Sequence, residues 1–139
     1  MEAKITNRLQ NFIVITGTES TGKTELAEWL GYRMGVPVIQ DVTRQYCYAL
    51  QRDVTADDVY RMAKEIIQNE NSASDSSSVI ISDNCLLNIR IWLRYRNWAE
   101  PEWLTKEIDE RMYGLYLLCY PDVPWKHDPL RNNPHDRLV

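Results

Sequence analysis

The chain has few of the residues that staple small secreted domains or build metal centres. Its three cysteines, Cys47, Cys85 and Cys119, are far apart, odd in number and without a CxxC pair. This argues against a disulfide framework or a cysteine zinc site and fits reduced thiols, so a cytoplasmic location is expected. Two histidines, His127 and His135, leave little room for a histidine-rich metal centre. No apolar run approaches the ~18–20 residues that span a bilayer. Met1–Gln10 is polar and lacks the apolar stretch of a secretion signal. Basic residues are outnumbered, 16 against 20 acidic ones, for a formal net charge of −4. A nucleic-acid binder normally carries the opposite sign, so neither a polynucleotide nor a membrane is an expected partner.

What is present suits one globular domain spanning residues 1–139, at 44% hydrophobic and 26% charged. Four short apolar runs read as buried strands: Phe12–Ile15, Val36–Ile39, Val79–Ile81 and Leu115–Cys119. They are continuous rather than alternating, as expected when helices cover both faces of a parallel sheet. Helical spacing lies between them. Leu26, Ala27, Leu30 and Met34 form one stripe, closed by Gly35 and Pro37. Val59, Met62, Ala63, Ile66 and Ile67 form another, with Thr55 and Asp58 as its capping box. Further helices are predicted from about Leu86 to Asn97 and from Pro101 to about Tyr113. Asn71–Ser78 reads as a solvated serine-rich loop, and Pro121–Asp136, with four prolines, as a long loop. Strands alternating with helices predict an α/β domain with a mostly parallel sheet.

One motif carries chemistry. Gly17-Thr18-Glu19-Ser20-Thr21-Gly22-Lys23-Thr24 is G-x-x-x-x-G-K-[ST], a P-loop, set between a strand and a helix. Its glycines let the backbone curl around an anion, and successive N–H groups then face that anion at the positive end of the following helix. Lys23 can reach the β- and γ-phosphates of ATP, and the Thr24 hydroxyl can ligate Mg²⁺. The chain contains no N-K-x-D segment for reading guanine. An AAA-type motor normally needs a larger body with a second helical domain, so a small-molecule kinase suits the remaining chain better.

Other candidates follow from position. Asp83 stands at the C-terminal end of the third strand, where ligands gather in open α/β sheets. It can hold Mg²⁺, take a proton from an attacking hydroxyl, or simply cap the helix near Leu86. Asp41 ends the second strand with Arg44 three residues on. One helical turn would place both on one face, either to bind substrate or as a surface ion pair. Trp125–Arg131 and Arg137 have the look of a basic lid, or of a solvated basic loop. Arg90 and Arg94 share a face expected to be solvated; Trp92, Trp98 and Trp103 are expected to pack, and the cysteines to be small buried hydrophobes.

Together these segments resemble the nicotinamide riboside kinase domain of NadR-type proteins and their stand-alone relatives. The P-loop with Glu19 and Ser20 agrees, as do three segments in order. Asp41-Val42-Thr43-Arg44-Gln45-Tyr46 is similar to E-Y-x-R-E-[YF]. Ile81-Ser82-Asp83-Asn84-Cys85 is similar to a strand-end D-T-D. Leu117–Trp125, with Asp128 and Arg131, is similar to L-L-x-x-x-D-x-P-W-x-x-D-x-x-R. The resemblance covers roughly residues 12 to 137. It implies a three-layer P-loop fold and transfer of the ATP γ-phosphate, with Mg²⁺, to the 5′-hydroxyl of nicotinamide riboside. Lys23, Asp83, Asp41 and Arg131 would be catalytic, and Asp41, Arg44, Trp125 and Asp128 would bind the nucleoside. Gly17, Glu19, Ser20, Thr21, Gly22, Lys23 and Thr24 would hold ATP, and Thr24 and Asp83 the metal. Residues 121–137 would form the lid. Relatives continue with another strand and helix, so a sheet of about four strands without that edge strand is expected. Four positions depart from the pattern: Cys85 for the second Asp, Asp41 for Glu, Val42 for Tyr, and Gln40 where relatives can carry a nicotinamide-stacking aromatic. Cys85, Val42 and the absent C-terminal part of the family pattern leave open a second reading, an ATP-binding regulatory module with little turnover.

Overall fold

The computed structural model describes residues 9–18, 21–76 and 78–120. The elements run β1 (Leu9–Gly17), α1 (Lys23–Met34), β2 (Val38–Ile39), α2 (Val42–Ala49), α3 (Ala56–Ala73), β3 (Ile80–Asp83), α4 (Leu87–Tyr95), α5 (Glu102–Asp109) and β4 (Tyr113–Cys119). The four strands form one sheet in the order β2-β3-β1-β4. Every pairing is parallel. Among the described residues, no helix is long and apolar enough to cross a membrane.

The continuous apolar strands are explained by the layers they separate. From β1, Ile15 packs with Ile81 and Ala27 of α1, while Phe12 and Val14 pack with Ile80 and Cys85 on the other side. A larger cluster lies among the helices of that second side: Val59, Met62 and Ala63 of α3, Leu86, Ile89 and Leu93 around α4, and Leu104 and Ile108 of α5. The α3 stripe is thus the buried one, and its predicted capping box is made, the Thr55 side chain accepting from the Asp58 N–H. The α1 stripe is narrower than expected. Ala27 and Gly31 are buried, but Met34 is exposed, because the chain turns at the left-handed Gly35.

Several boundaries differ from the sequence reading, each for a tertiary reason. α3 runs through Ala73, three residues into the predicted serine-rich loop. Its end is anchored by Glu70, a buried carboxylate that accepts from Arg111 Nε (2.9 Å), the Tyr113 hydroxyl (2.7 Å) and the Leu86 N–H (3.0 Å). The same network explains why α5 stops at Asp109 rather than near Tyr113, since Arg111 and Tyr113 are drawn inward to Glu70. α4 ends at Tyr95, where Asn97 turns left-handed and the Trp98 N–H closes on the Leu93 carbonyl. β3 starts at Ile80 and extends to Asp83, and α2 was not predicted as a helix. The Arg90 face is not simply solvated, because Arg90 pairs with Glu100 (2.8 Å) and Asp109 (3.0 Å). Trp92 and Trp98 pack on the helical core as expected, whereas Trp103 lies partly exposed under Lys64. Only Cys85 is fully buried; Cys47 and Cys119 are half-buried.

Candidate functional site

The P-loop leaves β1 at the C-terminal edge of the sheet. Gly17 has φ 144°, and a Cβ there would press on the Cys119 carbonyl at 2.7 Å, so only glycine lets the chain depart this close to β4. Gly22, at φ 82°, is the N-cap of α1 and has no side chain to bond the first turn. The N–H groups of that turn are therefore not spent on a side-chain cap and can bind an anion. Within the loop, Thr21 Oγ1 and Lys23 Nζ both donate to the Thr18 carbonyl, at 2.9 and 2.8 Å. The loop is thus curled with its lysine laid along it. Glu19 and Ser20 lie outside the described residues.

Asp83 stands beside the loop because β3 pairs with β1 in the register Ile15 to Asp83. Thr24 Oγ1 donates to Asp83 Oδ2 at 2.7 Å. Asp83 Oδ1 is buried with no hydrogen-bond partner among the described residues. Burial pushes the Asp83 carboxyl above its usual range, although the Thr24 hydrogen bond opposes this; the nearby Asp41 adds to the upward push. The helix-capping alternative fails. The N-cap of α4 is Leu86, without a side-chain bond, and the Cys85 N–H is taken by Asn88 Oδ1 at 3.0 Å.

Asp41 does act as a cap. It starts α2, with Oδ1 accepting from the Thr43 N–H (3.0 Å) and hydroxyl (2.6 Å). Its Oδ2 accepts from Asn84 Nδ2 at 2.7 Å, which ties the end of β2 to the end of β3. Arg44 is exposed on α2, with its guanidinium over the Tyr48 ring and bonded to the Tyr48 hydroxyl at 3.4 Å. Lys23, Thr24, Asp83 and Asp41 therefore gather at one sheet edge. Trp125, Asp128, Arg131 and Arg137 lie outside the described residues.

Between Asp41, Asp83 and Asn84 opens a cleft of about 20 Å³, backed by Ile66 and Glu70 of α3. Asn84 and Glu70 are the residues the sequence reading overlooked as parts of this site. Asn84 had a faint signal, as a polar residue directly after a strand-end acid. Glu70 had none, because its partners Arg111 and Tyr113 are about forty residues away in sequence.

No group of three or more histidine, cysteine or acidic side chains that could cage a metal occurs among the described residues. Magnesium does not require such a cage, since it is typically held by one or two protein oxygens together with phosphates and water. Thr24 Oγ1 and the unspent Asp83 Oδ1 are the right donor type for it.

No curated protein matches the sequence. A crystal structure of NadR protein in complex with NAD and AMP-PNP superposes with a TM-score of 0.66 at 20% identity, covering 81% of this chain and 35% of that one. The chain thus spans about a third of the length of that NadR protein, and the likeness is one of fold: a three-layer α/β/α P-loop arrangement around a parallel sheet. A family model described as an AAA domain matches residues 12–138, which takes in the P-loop and all four strand ends, and the chain belongs to that family, AAA_28.

Proposed function

We propose that the chain is an ATP-dependent phosphotransferase acting on the 5′-hydroxyl of a nucleoside, with nicotinamide riboside as the first candidate. The observation that carries this reading is the 2.7 Å bond from Thr24 Oγ1 to Asp83 Oδ2, with Asp83 Oδ1 buried and unspent beside the P-loop. A buried oxygen without a partner calls for one, and a metal ion is of the right chemistry.

In this reading the first-turn N–H groups of α1 and Lys23 bind the triphosphate, with Lys23 leaving the Thr18 carbonyl to do so. Thr24 and Asp83 would hold Mg²⁺, which when bound offsets charge on the β- and γ-phosphates. The nucleoside lies over the Asp41–Asn84 cleft with its 5′-oxygen in line with the γ-phosphorus. That oxygen bonds to phosphorus, the bond to the β-phosphate oxygen breaks, ADP leaves, and the hydroxyl proton passes to Asp83 or Asp41. Arg131 in the 121–137 lid would offset charge on the transferring group, and Trp125, Asp128 and Arg44 would contact the nucleoside. The NadR protein of similar fold, seen with NAD and AMP-PNP, supports a nicotinamide-bearing substrate. The test is ADP release over a panel of nucleosides, with Lys23→Ala as control. Release stimulated by nicotinamide riboside and lost in Lys23→Ala is the expected result; release indifferent to both removes the proposal.

One observation favours the alternative of an ATP-binding regulatory module. The Cys85 thiol is buried and pushed up to about 12, chiefly by that burial, so it is uncharged at neutral pH. It cannot replace a second carboxylate. Tight Mg·ATP binding without phosphoryl transfer to any nucleoside is the outcome that would select this reading.

A further inference from the structure

Asn84 is pinned at every polar group but one. Its φ is 65°, in the left-handed region that asparagine enters more readily than most residues. Its N–H donates to the Ile15 carbonyl at 2.9 Å, and its own carbonyl accepts from the Ser82 hydroxyl at 2.6 Å. Its side-chain Nδ2 donates to Asp41 Oδ2 at 2.7 Å. A carboxylate at neutral pH only accepts, so this bond fixes which end of the amide faces Asp41. Oδ1 is what remains, and it is buried with no hydrogen-bond partner among the described residues. The same is true of Asp83 Oδ1, and Asn84, Asp83 and Asp41 all line one cleft. Among the described residues that line it there is no lysine or arginine.

We propose that Asn84 is a specificity-determining residue for the acceptor substrate, its Oδ1 accepting one hydroxyl of a vicinal diol on the sugar. Through Nδ2 it also holds Asp41, so that the remaining lone pair on Asp41 Oδ2 accepts from the neighbouring hydroxyl. A rim of two acceptors, one of them a carboxylate, favours a neutral or cationic sugar carrying a free diol over one whose diol already bears a phosphate. The inference rests on the phosphotransferase reading above and extends it to what the cleft recognises.

The test variant is Asn84→Gly, which keeps the left-handed backbone and removes the amide. Steady-state ADP release is measured for wild type and variant with nicotinamide riboside and with its 2′-deoxy and 3′-deoxy forms, alongside thermal unfolding and a Mg²⁺ titration. The variant is expected to raise the KM for nicotinamide riboside about tenfold, with the KM for ATP changed less than about twofold. Wild type is expected to disfavour at least one deoxy form by about tenfold, and the variant by less than about twofold. Equal discrimination in wild type and variant, an unchanged riboside KM, or a shifted Mg²⁺ requirement in place of a shifted riboside KM would overturn the inference alone. Wild-type protein that binds Mg·ATP yet transfers nothing to any nucleoside of the panel would remove the phosphotransferase reading, and this inference with it.

Discussion

The replacement of Asp83 by asparagine should make the ligand-free protein more stable and its nucleotide complex less so. Asp83 is 6% exposed, accepts one hydrogen bond, from Thr24, and keeps Oδ1 unspent. A buried unsatisfied polar group costs about 1–3 kcal/mol, and a charged one more. Asparagine keeps an oxygen for the Thr24 hydroxyl and removes the charge. The net gain without ligand should be about 1 kcal/mol, which for a chain of this size raises the Tm by about 3–4 °C. With nucleotide the sign reverses. Mg·ATP at a hundred times its Kd stabilises a protein that binds it by about 2.7 kcal/mol. That corresponds to a wild-type shift of about 8–10 °C. Asp83→Asn lacks the charge that would hold the metal, so its shift should fall below about 2 °C. Circular dichroism melting with and without Mg·ATP, and with EDTA added, reads both numbers. A ligand-free variant less stable than wild type, or an undiminished Mg·ATP shift, refutes the argument that Asp83 carries a functional cost.

Arg111→Met should cost about 3–5 kcal/mol, because it leaves the Glu70 carboxylate buried with only the Tyr113 hydroxyl and the Leu86 N–H. Burial already pushes the Glu70 carboxyl up, and losing Arg111 raises it further. A carboxyl raised in the folded state costs stability as pH rises above the unfolded value of ~4.3, so urea denaturation should show a larger deficit at pH 8 than at pH 5. Asp58 has the opposite sign. Hydrogen bonds from Arg52, and from Thr55 and Tyr46, hold its carboxyl well below the usual range. Its stabilisation is complete above pH ~3.9 and is lost as pH falls further, so Arg52→Ala should flatten the acid limb of an unfolding titration. Gly31→Ala would drive a methyl group into the Val38 side chain, and should cost about 1–3 kcal/mol in chemical denaturation although alanine is the better helix former.

Much of this architecture can be read along the chain because its causes are local. The P-loop needs glycines at two turns and a lysine and threonine opening a helix, all within eight residues. The Thr55–Asp58 capping box is likewise closed within four residues. Where the reading failed, the cause was remote. Helix α3 outruns its polar sequence because Glu70 is gripped by Arg111 and Tyr113. Arg90 reads as solvated along the chain because its partners are ten and nineteen residues away, Glu100 in the loop after α4 and Asp109 at the end of α5. The spacing of Asp41 and Arg44 leaves substrate binding and a surface ion pair both open; in the fold Asp41 is turned to Thr43 and Asn84, and Arg44 to Tyr48.

The order of residues alone determined that this chain holds a phosphate cradle on an α/β sheet, since strand, turn and helix onset are set by short-range sterics and by the pattern of apolar side chains. Only the tertiary structure decided which carboxylate stands next to that cradle. Strand register brings Asp83 to Thr24 across 59 positions of sequence. The adjoining of β2 and β3 brings Asp41 to Asn84 across 43. Hydrogen bonds and buried charge act over a few ångströms whatever the separation along the chain, so these pairings exist only once the sheet has formed.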